Sequence, residues 1–452
     1  MEKIRTILKE NRTEVFFICC SILFGALFGF AVIAYDDAYN MPLIGETIKE
    51  EVLYNLATYK SWTSRIFINT VWSIILEHGY VFFMVYMGIS MYVLLKGFYL
   101  LFAGENDYEA AVFAAFCAML FPFHLLTSAG WIATTGTYFG PQAFGIMALV
   151  PIKRAYDNKK LSIKEMIWFS LCLIYGANFE QMCIMLLFLY VVYTVCMIAE
   201  KNIRWQVLWF FFLSIASMAF FLTCPGNWSR SDTENRYFPT YGMLNFVDKV
   251  ELATTRTLKW IFIDGTLVTI VFLAILAFVV IKKYKNHGYR LIASLPLAIA
   301  LLLGPFNDNT KYILPKITKL NTDVGYYGSI NVGARGLGIG LLQVFTFLVL
   351  SLLVLICLFL INDTIFGLVM DIALVLVGVG TGAMMGFTAT IYASSGRTYS
   401  TLVFCVMLLI LHTFYNNRRY FEFKRFDLVY AGYGAIAISF INLAALIMTQ
   451  FY

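Results

Sequence analysis

The sequence predicts an all-α polytopic membrane protein, a transmembrane helical bundle of about thirteen spans, and three observations carry that prediction. The 452 residues are 60% hydrophobic and 13% charged, with mean hydropathy +0.76, more apolar surface than a water-soluble chain of this size can bury. The apolar residues fall in runs of roughly 20, the length that crosses about 30 Å of hydrocarbon at about 1.5 Å per residue. Tight basic clusters in short loops, Lys282-Lys283-Tyr284-Lys285 and Arg418-Arg419 through Lys424-Arg425, mark cytoplasmic ends. The net charge of +6 therefore speaks to orientation and not to nucleic acid.

Residues 15–35 form the first run, 21 residues without a charge, behind Lys3, Arg5, Lys9 and Arg12. The run is too long and too aromatic for a cleaved signal peptide, so it reads as a retained helix with a cytoplasmic N-terminus. Further spans read at about 79–103, 109–128, 131–152, 205–224, 261–281, 289–304, 338–361, 365–388, 400–415 and 427–449. The stretch 166–199, at 34 residues, would be about 51 Å long as one helix and carries Asn178, Glu180 and Gln181 at its middle. A carboxylate at the bilayer centre costs on the order of 2.5–3.5 kcal/mol. Two shorter helices meeting at a polar break over 176–181 relieve both problems. The total of Lys and Arg on each side comes out the same with or without the break. Loop density decides for it, because the inverted arrangement exports the tight basic clusters.

The chain thus reads as one integral-membrane domain, 1–452, with external loops at about 36–78, 225–260, 305–337 and 389–399. Two of these carry amphipathic helix patterns too short to span. Phe246, Val250, Ala253, Thr257 and Trp260 share one face in 244–260, and Leu43, Ile44, Ile48, Val52, Leu56 and Tyr59 share one in the first loop. Both are expected along the membrane interface, where they either seal the protein or shape an entrance for a lipid. The nine cysteines lie almost wholly inside apolar runs with no C-x-x-C pair, so they read as small apolar packers.

The residues that carry chemistry collect on the external side. Asp36-Asp37 follow the first span, where one carboxylate can take a proton from an attacking hydroxyl. Its neighbour can orient the acceptor, hold a divalent cation or raise the first one's pKa. The plainer reading is a pair of solvated turn residues before Pro42. Arg65 lies in the same loop. Asn178 and Glu180 sit at the break, where Glu180 either binds acceptor or sugar or pairs with an arginine. Arg230 follows a turn at Thr223-Cys224-Pro225-Gly226-Asn227, and Arg335 and Arg397 follow glycine-rich turns at helix starts. An external guanidinium can grip a lipid phosphate with two prongs or simply snorkel to headgroups. Asp371, inside the span at 365–388, is placed to reach a partner. The row Gly378, Gly382, Gly386 has the spacing of close helix packing.

Asp36-Asp37 at the first exit, Trp62-Thr63-Ser64-Arg65, Asn178-Phe179-Glu180, Pro225-Gly226-Asn227 with Arg230, and Gly396-Arg397 together resemble the GT-C membrane glycosyltransferases, and within them a poorly characterised bacterial family. The likeness covers most of the chain through short motifs. It implies a GT-C-like fold and inverting transfer of a sugar from a polyprenyl-phosphate donor to a cell-envelope glycan or lipid acceptor, on the extracytoplasmic face of the cell membrane. The aspartate matching Asp36 or Asp37 would be the base, and the arginines would hold the lipid phosphate. Two other readings stand beside it: a repeat-unit polymerase acting on undecaprenyl-linked oligosaccharides, and a lipid or glycolipid transporter. The second is disfavoured by the absence of a repeated half and by the one-sided polar residues.

Overall fold

A computed structural model describes residues 11–40, 47–104, 107–264, 267–315, 320, 337–421 and 425–449. Among them the chain is all-helical, without a strand. Its first helices are α1 (Arg12–Leu27), α2 (Asp36–Asn40), α3 (Ile48–Ser61), α4 (Ile66–His78), α5 (Tyr80–Phe102) and α6 (Tyr108–Met119). There follow α7 (Trp131–Tyr138), α8 (Gly140–Met147), α9 (Val150–Tyr156), α10 (Ile163–Gly176), α11 (Glu180–Ala199), α12 (Trp205–Leu222) and α13 (Pro225–Glu234). The remainder are α14 (Phe246–Phe262), α15 (Leu267–Lys283), α16 (His287–Leu303), α17 (Asn307–Ile313), α18 (Leu337–Ile361), α19 (Ile365–Ala383), α20 (Ser400–Asn416) and α21 (Arg425–Met448).

Eight of the helical spans are long and apolar enough to cross a membrane, or up to ten if each of two bent pairs is one span. The chain is a multi-pass membrane protein by that measure. Several expected spans are shorter than their apolar runs. The run at 131–152 is three helices, because Pro141 and Pro151 each occupy the first turn of a new one, where a missing N–H costs nothing. The run at 109–128 stops at Met119, ahead of Pro122. Residues 166–199 break where their polar residues predicted, with α10 ending at Gly176 and α11 starting at Glu180.

The chain folds as two compact units, Met1–Arg230 with Phe423–Tyr452, and Ser231–Glu422. In the first, an aromatic core of Phe24, Phe28, Phe83, Phe139 and Trp131 joins α1, α5 and α7. Tyr190 of α11 stacks on Phe210 of α12 and donates to the Ala148 carbonyl at 2.6 Å, which satisfies its hydroxyl inside the bundle. Lys96 of α5 reaches Glu14 of α1, a pairing that lets both charges lie beside apolar helices.

In the second unit α20 is buried along almost its whole length. The glycine row packs closely, as its spacing predicted: a Cβ at Gly378 would lie 3.0 Å from Cys405 Cβ, and one at Gly386 would lie 2.3 Å from Ala253 Cβ. Asp371 does find partners. Its Oδ1 lies 2.6 Å from His412 Nδ1 and its Oδ2 accepts from Asn362 Nδ2 at 2.7 Å, tying α19 to α20. Lys283 and Arg419 flank Asp363 at 2.6 and 2.8 Å, and the Lys283 hydrogen bond holds that carboxyl below its ordinary range.

Candidate functional site

The acidic pair does not sit at the end of the first span. The α-helix stops at Leu27, a single 3-10 turn covers Phe28–Phe30, and the chain then runs without regular structure to Tyr35. Tyr35 turns it with φ +52°, a left-handed conformation that costs a side-chain-bearing residue roughly 1–2 kcal/mol. Asp36 and Asp37 therefore open α2, so the helix dipole favours their charge instead of opposing it.

The two aspartates have different surroundings. Asp36 is exposed and Asp37 is fully buried. Asp37 Oδ2 accepts the Ile132 N–H at 2.9 Å and Oδ1 accepts the Ala133 N–H at 2.8 Å. These are orphan donors in the first turn of α7, whose own N-cap, Gly130, has no side chain to offer. Glycine is required there: its φ is +98°, and a Cβ would lie 2.6 Å from the Asp37 carboxyl. Asp37 is thus an N-cap supplied from a distant part of the chain.

Burial pushes the Asp37 carboxyl up to about 6, against the pull of the Ala133 and Ile132 N–H groups. Its folded value lies above the unfolded 3.8, so the folded state holds the extra proton between those limits. Asp37 favours folding most below about pH 4 and loses that contribution as pH rises to about 6, a change of about 3 kcal/mol. Thermal unfolding of wild type and Asp37→Asn across pH 4–7.5 checks this. The difference between them should change through that window and stay flat above it.

Three separate sequence motifs meet in a second cluster. Arg65 Nε donates to both oxygens of Glu180 at 2.9 Å, and its Nη2 lies 2.7 Å from Oε2. Arg230 Nη2 lies 3.9 Å from Glu180 Oε1, an ion pair beyond hydrogen-bond length. Asn178 Oδ1 accepts the Ile68 N–H at 3.1 Å and its Nδ2 donates to the Ser64 carbonyl at 3.0 Å. It repeats the Asp37 device, capping α4 from outside where Arg65 occupies the N-cap position. Gly226 brings the Arg230 segment against the first loop, for a Cβ there would lie 2.3 Å from the Trp62 nitrogen. Glu180 opens α11, where the dipole favours an anion. Two guanidinium groups thus converge on one carboxylate.

Helix α7 links the two clusters. Asp37 caps its first turn, and Tyr138 at its other end hydrogen-bonds Arg65 and packs edge-on against Phe179 at 5.2 Å. Six residues of helix separate Ile132 from Tyr138, about 9 Å. Sequence reasoning misses Tyr138, because one tyrosine among 28 in apolar runs carries no mark.

Of the other expected residues, Arg397 is half-buried in the short turn Ser395–Tyr399, directly before α20. Arg335 lies outside the described residues, as do Leu43 and Ile44. Among the described residues no group of three or more His, Cys, Asp or Glu could hold a metal ion. The cation considered at Asp36-Asp37 would compete with the two backbone N–H groups for the Asp37 oxygens. No family model matches the chain, and neither a curated protein nor a solved structure does.

Proposed function

We propose that the chain is a GT-C-like membrane glycosyltransferase of about thirteen crossings. It moves a sugar from a polyprenyl-phosphate donor to a glycan or lipid acceptor on the extracytoplasmic face. The observation that supports this reading best is that the exposed Asp36 adjoins Asp37, which caps the start of α7, while the cluster of Arg65, Glu180 and Arg230 meets the other end of that short helix at Tyr138.

In this reading Asp36 takes the proton of the acceptor hydroxyl. The hydroxyl oxygen attacks the anomeric carbon, the bond from that carbon to the phosphate oxygen breaks, and polyprenyl phosphate leaves with the bond's electrons. Arg230, with Arg65 behind it, stabilises the charge developing on the phosphate. Asp37 and Asn178 set helix starts and touch no substrate.

The test is reconstitution in liposomes with a panel of polyprenyl-phosphate sugars and envelope-derived acceptors, scoring release of polyprenyl phosphate. Release that requires acceptor is expected. Movement of the lipid-linked sugar across the bilayer without bond cleavage would instead establish a transporter.

A further inference from the structure

Helix α3 divides its surface three ways. Glu51 and Asn55 are 1% and 2% exposed, and Thr58 on the same side is half-buried, so this polar face is turned into the protein. About a quarter turn round at 3.6 residues per turn, Ile48, Val52 and Leu56 are 55%, 37% and 47% exposed. Glu50 and Ser61, exposed as well, lie on the side away from that apolar stripe, beside the exposed Tyr54, with the exposed Leu53 between the two sides. A helix between protein and water would place these residues the other way about.

The flank of α3 continues the exposed apolar surface of α12, one of the helices long and apolar enough to cross a membrane. Span α12 buries Val207, Phe210 and Ser214 and leaves large apolar residues such as Phe212 and Leu222 exposed. The end of α3 sits against the last turn of that span. The Tyr59 ring stacks on Phe220 at 4.8 Å, its hydroxyl donates to the Phe220 carbonyl at 2.9 Å, and Cys224 Sγ reaches the Tyr59 carbonyl at 3.0 Å. Trp62 and Trp228, both exposed, lie just beyond the ends of α3 and α12. Tryptophan favours the headgroup level, and the exposed Lys49 and Lys60 flank the stripe where their stems can run along it.

We infer that α3 lies in the plane of the membrane at the headgroup boundary, with Ile48, Val52 and Leu56 inserted into lipid and its Glu51–Asn55 face against the protein. The partner of this surface is the bilayer. The inference concerns no reaction and stands apart from the proposed activity. Arg65, four residues beyond α3, and Arg230 are thereby set at the level of lipid phosphates.

Nitroxide labels at Glu50→Cys, Val52→Cys, Leu56→Cys and Ser61→Cys, in the full chain lacking its native cysteines and reconstituted in phosphatidylethanolamine–phosphatidylglycerol vesicles, test the placement. Oxygen collisions should exceed those of a water-soluble nickel complex at 52 and 56, with the order reversed at 50 and 61. Nickel dominance at all four positions would put α3 in water and overturn the inference. Exclusion of both reagents at 52 and 56 would mean cover by protein, and overturn it too. A diazirine amino acid at Val52 in the chain with its cysteines intact gives a second reading: lipid adducts support the placement, and crosslinked dimers refute it.

Discussion

Replacing Glu180 with alanine should destabilise the protein by about 3–5 kcal/mol, because it leaves the Arg65 guanidinium largely enclosed without its counter-charge. Arg65→Ala should cost less, because Arg230 stays within 3.9 Å of the carboxylate it leaves behind. Arg65→Lys keeps the charge but loses the fork that reaches both Glu180 oxygens, so it should fall between wild type and alanine. The double replacement Arg65→Met with Glu180→Met should recover much of the loss, since it removes both charges together. Equilibrium unfolding in a fixed detergent mixture measures all four. A Glu180→Ala cost below about 1 kcal/mol would mean that the pair behaves as an exposed surface bridge.

The two aspartates should separate by readout. Asp36→Asn should lower turnover by about 10²–10⁴-fold with unfolding little changed, the loss expected for a general base. Asp37→Ala should cost about 1–3 kcal/mol for each N–H of Ile132 and Ala133 left unpaired. Asp37→Asn, which keeps one acceptor and adds no charge, should be milder and retain turnover. Near-normal turnover for Asp36→Asn would remove the base and strengthen the repeat-unit polymerase reading.

The sequence determined the class and much of the segmentation by itself, because both follow from local free energy. A long uncharged run must leave water, and a run with a carboxylate at its centre must break; α11 accordingly starts at Glu180. Hydropathy alone joins 131–152 into one span, whereas its prolines divide it into three helices. The candidate residues were legible by type and not by role. Asp, Asn and Arg at external ends stand out against an apolar background, but periodicity does not say what they face.

Only the tertiary structure decided those roles. Asp37 and Asn178 cap helices distant in sequence, which no spacing rule reaches, and Glu180 chose Arg65 across 115 positions. Tyr138 became part of the arginine cluster solely through the packing of α7 against α4. The first-loop helix shows the division most clearly. Its stripe of Ile48, Val52 and Leu56 was written in the sequence, while the buried Glu51 and Asn55 beside it were not. Period fixes which residues share a face of a helix. Which face meets protein depends on where the long-range contacts, here Tyr59 on Phe220, anchor it.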